Sequence, residues 1–199
     1  MTGVQTCALP ICIVVKPTWR HYKAAGEDIV LEIDPGMAFG TGTHPTTANC
    51  VRLLEKFVKK GDAFLDVGTG SGILMMAAGR LGAGVLAGTD RDETAVEIAR
   101  KNLEINGFDR SRFHLVIADL ANGLKGRFDV IAANILSDVI VRLLDPLPDL
   151  MTENGVFIAS GIIEENLNPV LEKMKEKKLK IAECFVDENW AAIAAVRVR

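Results

Sequence analysis

Long apolar runs are missing from this 199-residue sequence, and none approaches the roughly 20 consecutive residues that a membrane-spanning helix needs. The N-terminus also lacks the basic segment and small-residue cleavage pattern of a secretory signal, so a cytoplasmic protein with no membrane partner is expected. Cysteine is scarce and dispersed. Cys7, Cys12, Cys50 and Cys184 form no C-x-x-C pair and have no histidine at ligand spacing, which argues against a zinc site or a disulfide framework and predicts no bound metal. An excess of positive charge is absent too: 23 Lys and Arg stand against 26 Asp and Glu. The net charge of -3 supplies no global basic field, and direct contact with nucleic acid is not expected. No internal repeat or low-complexity stretch is present.

What is there is an ordinary globular composition, 49% apolar and 25% charged, far from the signature of disorder. A chain of this length buries roughly 70% of its unfolded surface, enough for one domain with its own core, and a monomer is expected. The start of the chain is different in character. Met1 to Ile11, MTGVQTCALPI, resembles the translation of a sequencing adapter joined to a reading frame and is not counted toward the fold. An edge strand through Ile11 to Val15 is the alternative.

Further on, strands and helices alternate. Ile29 to Ile33 reads as a short strand stopped by Asp34-Pro35-Gly36, and a glycine-rich loop leads to a helix that starts near Pro45. Ala63 to Val67 is a buried strand that turns through Gly68-Thr69-Gly70-Ser71-Gly72 into a helix over Ile73 to Leu81. A second unit follows, with a strand over Gly84 to Thr89 and a helix over Glu93 to Asn106. Further strands are predicted at Phe113 to Ile117, Phe128 to Ala133 and Gly155 to Ser160, with helices near Ser137 to Leu150 and Glu164 to Lys178. Lys180 to Val186 and Ala191 to Val198 lie too close together for a crossover helix and predict an antiparallel hairpin. The pattern implies an α/β, doubly wound, mostly parallel seven-stranded sheet with an antiparallel C-terminal hairpin. In such a sheet ligands bind beyond the carboxyl ends of the strands, where strand order reverses.

The chemistry concentrates at Asp66-Val67-Gly68-Thr69-Gly70-Ser71-Gly72. A strand that turns at once into a helix needs glycine, and the helix start then offers N–H groups and positive dipole to a phosphate or to an amino-acid carboxylate. The dinucleotide fingerprint spaces its glycines as G-x-G-x-x-G. Here Gly68, Gly70 and Gly72 follow Asp66 as G-x-G-x-G, the spacing associated with S-adenosylmethionine. Asp90 lies 22 residues beyond Gly68 at a strand end, where a carboxylate can take both hydroxyls of a ribose; capping the next helix is its alternative role, with Asp92 a better cap candidate. Asp119 sits where an acid could meet an adenine edge, or in a plain loop. Asn134, a polar residue ending an apolar strand, points toward the expected cleft.

The run Asp34-Pro35-Gly36-Met37-Ala38-Phe39-Gly40-Thr41-Gly42-Thr43-His44-Pro45-Thr46-Thr47, with Asp66 to Gly72, Asp90 and Ala133-Asn134-Ile135-Leu136, resembles the ribosomal protein L11 methyltransferase family over roughly residues 13 to 199. That resemblance implies a Rossmann-like class I methyltransferase using S-adenosyl-L-methionine, with cofactor contacts at Thr47, Gly68, Asp90 and Asn134. It implies methylation of lysine and N-terminal amines of L11, the protein partner, and a loop at Phe39 to Thr43 closing over the methyl donor. The family also has an N-terminal recognition domain and linker. Too few residues precede Asp34 to hold that domain, so residues 1–28 are expected to be the adapter-like segment with residual linker and 29–199 the methyltransferase domain.

No general base stands out, so catalysis is assigned to positioning by Asn134 and by the loop residues Phe39 and Thr43. His44 reads as a cap or packing residue before a catalyst, and Trp190 as a wall for the substrate amine or a core residue. The lysines at 173–180 read as the solvated side of an amphipathic helix. Two rivals remain: a nicotinamide-dependent oxidoreductase, and a domain that binds cofactor without engaging its protein substrate.

Overall fold

Short apolar runs such as Ile29–Ile33 and Ala63–Val67, stopped by aspartate or glycine, become strands, and amphipathic stretches become helices. The computed structural model describes residues 5–6, 13–26, 28–34 and 44–197. In chain order these form β1 (Gln5–Thr6), β2 (Ile13–Pro17), β3 (Ile29–Ile33), α1 (Pro45–Phe57), β4 (Ala63–Val67), α2 (Ile73–Arg80), β5 (Val85–Asp90) and α3 (Glu93–Ile105). They continue with β6 (Phe113–Ile117), β7 (Phe128–Asn134), α4 (Ser137–Leu143), α5 (Leu147–Leu150), β8 (Met151–Ile163), α6 (Leu167–Glu176), β9 (Leu179–Asp187) and β10 (Trp190–Arg197).

The main sheet has seven strands in the order β6-β5-β4-β7-β8-β10-β9. Pairings from β6 through to β8 are parallel, while β10 runs antiparallel to both β8 and β9. This is the doubly wound sheet with a C-terminal hairpin that the alternation predicts. The chain builds outward from β4 through β5 to β6, then returns to the other side of β4 with β7. The order therefore reverses between β4 and β7, and a crevice opens at their carboxyl ends.

Successive residues of β4 point to opposite faces and feed two cores. Phe64 packs with Leu53 and Leu54 of α1, Met75 and Met76 of α2, and Leu103 of α3. Leu65 packs with Ile140 and Leu143 of α4, Leu147 of α5, and Val170 and Met174 of α6. Burying both faces explains why the central strands are near-continuous apolar runs.

Three expected boundaries differ. The single helix over 137–150 is two, α4 and α5, because Pro146 has no N–H to continue the ladder and disfavours helical backbone at Asp145. The strand over 155–160 extends across Met151–Ile163, and its register against β7 shifts between Phe128 and Val130. The last helix begins as a 3-10 turn, Glu164–Asn166, and is α-helical only over Leu167–Glu176.

A small second sheet, ordered β1-β2-β3, lies against the same body. β2 runs parallel to β3, and Ile13 is buried in the core with Leu31 and Ile33. Asn102 of α3 and Asn106, which caps its C-terminus, dock this sheet. Asn106 accepts from the Glu32 N–H at 2.9 Å and donates to the Glu32 carbonyl at 2.7 Å. Asn102 accepts from the Asp34 N–H and donates to the Ser71 carbonyl, both at 2.9 Å, so it joins the end of β3 to the turn before α2. Asn102→Ala removes both bonds, and losing hydrogen bonds at a buried polar junction costs about 1–3 kcal/mol. Thermal unfolding of this variant is expected several degrees below that of the wild type.

Candidate functional site

Between the end of β4 and the start of α2 the chain reverses with Gly68, Gly70 and Gly72 at φ of 77°, 54° and 80°. Left-handed backbone favours glycine, and space requires it as well. A Cβ on Gly68 would stand 2.6 Å from Ile135 Cγ2, and one on Gly72 would stand 3.2 Å from Ala99 of α3. Gly68 and Thr69 donate their N–H groups to the Thr89 carbonyl at 2.8 and 2.9 Å, which moors the turn to β5.

Asp90 closes β5. One carboxylate oxygen accepts from the Gly70 N–H at 3.0 Å and the other from the Asp92 N–H at 3.1 Å. Capping of α3 falls to Asp92, which accepts from the Thr94 N–H at 2.8 Å. Asp90 is thus released from the capping role and held at the mouth of the crevice as an oriented acceptor.

Asp66 lies beneath the turn and is 1% exposed. The Thr69 hydroxyl donates to Oδ2 at 2.9 Å, while Oδ1 is buried with no hydrogen-bond partner. Burial pushes this carboxyl up to about 7; the Thr69 hydroxyl opposes that shift, the charge of Asp90 adds to it, and the Met75 backbone N–H opposes it weakly. The Cys50 thiol nearby is itself pushed up, first by burial and then by Asp66.

A cleft of about 800 Å³ runs over these groups, a volume within the range of small-molecule sites. It brings together Thr47, Asp66, Gly68, Gly70, Asp90, Asp119 and Asn134 from six different segments of the chain. Gly72 is not on its wall; it precedes α2 as the cap residue and permits close packing on α3. Phe39 and Thr43 lie outside the described residues. Asn134 ends β7 and donates its amide to the Thr47 hydroxyl at 3.4 Å. His44 caps α1, accepting from the Thr46 N–H at 3.4 Å, and its ring meets Trp190 edge to face with centroids 4.9 Å apart. Both rings line the cleft beside Asn134.

Sequence reasoning did not single out Arg91, Leu120, Leu136, Arg142 or Gly161, all on the same wall. Gly161 carried a signal, since glycine inside a strand marks close approach of another backbone. At φ of 81° it lets the Ile135 carbonyl come where a Cβ would lie 2.5 Å from the oxygen. Four carboxylates, Asp66, Asp90, Asp119 and Asp138, face two guanidinium groups, Arg91 and Arg142. Such a field favours a cationic ligand and opposes a diphosphate.

Comparison with known proteins agrees with the geometry. The family model for ribosomal protein L11 methyltransferase (PrmA) matches residues 9–198. The ribosomal protein L11 methyltransferase of Desulfosudis oleivorans is 51% identical over 154 residues, 76% of this chain and 51% of that protein. That of Pelotomaculum thermopropionicum is 44% identical over 183 residues, 92% of this chain and 59% of that protein. The chain thus spans roughly half the length of the curated relatives it matches. The crystal structure of a ribosomal protein L11 methylase from Lactobacillus delbrueckii subsp. bulgaricus has a TM-score of 0.89 at 31% identity, covering 94% of this chain and 95% of that one.

The raised Asp66 carboxyl has a stability signature. Its folded pKa, about 7, lies above the ordinary aspartate value of 3.8, so the folded state holds an extra proton between those values. Stability of the ligand-free protein therefore falls as pH rises from about 4 through 7, by up to a few kcal/mol. Urea unfolding across this range is expected to show that slope in the wild type and its removal in Asp66→Asn.

Proposed function

Since the chain belongs to the ribosomal protein L11 methyltransferase family, we propose that its cleft binds S-adenosyl-L-methionine and directs methyl groups to lysine and N-terminal amines of L11. The observation that carries this reading is the partnerless Oδ1 of Asp66 under a cleft of anionic character. A buried acceptor with no donor is costly, and an ammonium group is the donor that relieves it. The methionine end of this cofactor carries an ammonium and the reacting sulfur a second positive charge. A nicotinamide dinucleotide would bring a diphosphate into the same field, which disfavours the oxidoreductase alternative.

The rest of the pocket fits the other parts of the cofactor. Asp90 would accept from the ribose hydroxyls, and the bare backbone at Gly68 and Gly70 would admit the amino-acid portion. Asp119 would take the purine edge, and Thr47 lines the cleft beside Asn134. When bound, the cofactor supplies an electrophilic methyl on a sulfonium.

Every other requirement falls on the chain's own groups. A lysine amine has a pKa of about 10.4 in water and reacts only after losing its proton. His44, Trp190 and Leu136 supply apolar surface that excludes water and disfavours the ammonium form. With its amide N–H directed to Thr47, Asn134 has its carbonyl oxygen available to accept from the amine and aim the nitrogen lone pair at the methyl. Holding the two atoms about 3–3.5 Å apart is then the main catalytic contribution. The reaction belongs in the cytoplasm, where ribosomal proteins are made.

Two variants separate these roles. Asp90→Ala removes charge-assisted hydrogen bonds worth roughly 1.5–3 kcal/mol, so calorimetric titration with S-adenosylhomocysteine should show ten- to a hundredfold weaker binding. Asn134→Ala is expected to slow methylation by more than it weakens binding of the same product, with methylation followed by the mass of L11 incubated with protein and methyl donor. If the wild type binds cofactor and adds no methyl mass to L11, the chain is a cofactor-binding domain that does not engage its substrate.

A further inference from the structure

Asp119 and Arg142 meet on the cleft wall, with Nη2 donating to Oδ2 at 2.9 Å. Both side chains are more than half exposed, and a pair so open to water contributes little to folding stability. Its surroundings are nevertheless braced. Ala118 donates its N–H to the Asp90 carbonyl at 2.9 Å, and Asn122 donates to the Asp119 carbonyl at 3.2 Å. Between them Leu120 is held at φ of 57°, a left-handed conformation unfavourable for a branched apolar residue. Such bracing fixes the backbone of Asp119 but not its carboxylate, which could rotate freely into solvent. Arg142, in the last turn of α4, supplies the missing constraint by engaging one oxygen.

We infer that Arg142 is a positioning residue, which holds the Asp119 carboxylate so that its second oxygen accepts from the exocyclic amine of the cofactor's purine. The inference rests on the proposed cofactor and deepens it. A guanidinium bonded to one oxygen keeps the carboxylate oriented, and purine binding would cover the pair and strengthen it by excluding water. Arg142 touches no reacting atom.

The test compares binding of two compounds by calorimetry: S-adenosylhomocysteine, and its analogue with hydrogen in place of the purine 6-amino group. The wild type is expected to prefer the amino compound by about tenfold or more, because a site built to bond an N–H discriminates against its loss. In Arg142→Ala the preference falls toward unity, mainly through weaker binding of the amino compound, with an unchanged melting curve. Arg142→Lys, which keeps the cation, restores part of it. Full preference retained in Arg142→Ala, equal loss of affinity for both compounds, or no preference in the wild type would each overturn the inference. Failure of the wild type to bind either compound would instead remove the cofactor reading itself, and this inference with it.

Discussion

A single buried carboxylate organises this molecule. Asp66 lies one residue before the end of the central strand β4, with β5 on one side and β7 on the other, and it is enclosed with one oxygen satisfied and one not. Leaving it so destabilises the ligand-free fold, and the surrounding structure must be firm enough to hold it there. Two apolar cores on opposite faces of the sheet supply that firmness, and the mooring of the glycine turn to Thr89 prevents the turn from collapsing onto the acid. Strain at a site and stability around it are two parts of one arrangement.

Charge then selects the ligand. A glycine turn at the start of a helix can serve an anion or the carboxylate of an amino acid, and the turn alone does not decide between them. The decision comes from what lies around it. With four acids against two bases on the wall, the charge around the turn favours a cationic ligand over a diphosphate. Membership of the methyltransferase family and this electrostatic reading reach the same answer by separate routes.

Local chemistry was legible in the sequence and long-range contact was not. The strand, glycine turn and helix at residues 63–80 could be read because Asp66, Gly68 and Gly70 impose their backbone directly. Asp92 could be named as the better cap because capping depends on neighbours a few residues away. By contrast, the pairing of His44 with Trp190 joins α1 to the last strand, and Arg142 reaches Asp119 from another element. No pattern within either segment encodes such meetings. The pairing of β2 with β3 escaped for the same reason, since a parallel partner is chosen by the core that Ile13 shares with Leu31 and Ile33. Pro146 was a local signal, and the amphipathic pattern running past it concealed the break between α4 and α5.

The central claim is that a cationic amine ends its search on Asp66. Calorimetric titration of S-adenosylhomocysteine at pH 7 in buffers of differing ionisation enthalpy counts the protons exchanged on binding. A carboxyl titrating at about 7 when empty and fully ionised against an ammonium should release about half a proton per molecule bound. Tight binding with no net proton release would contradict the account.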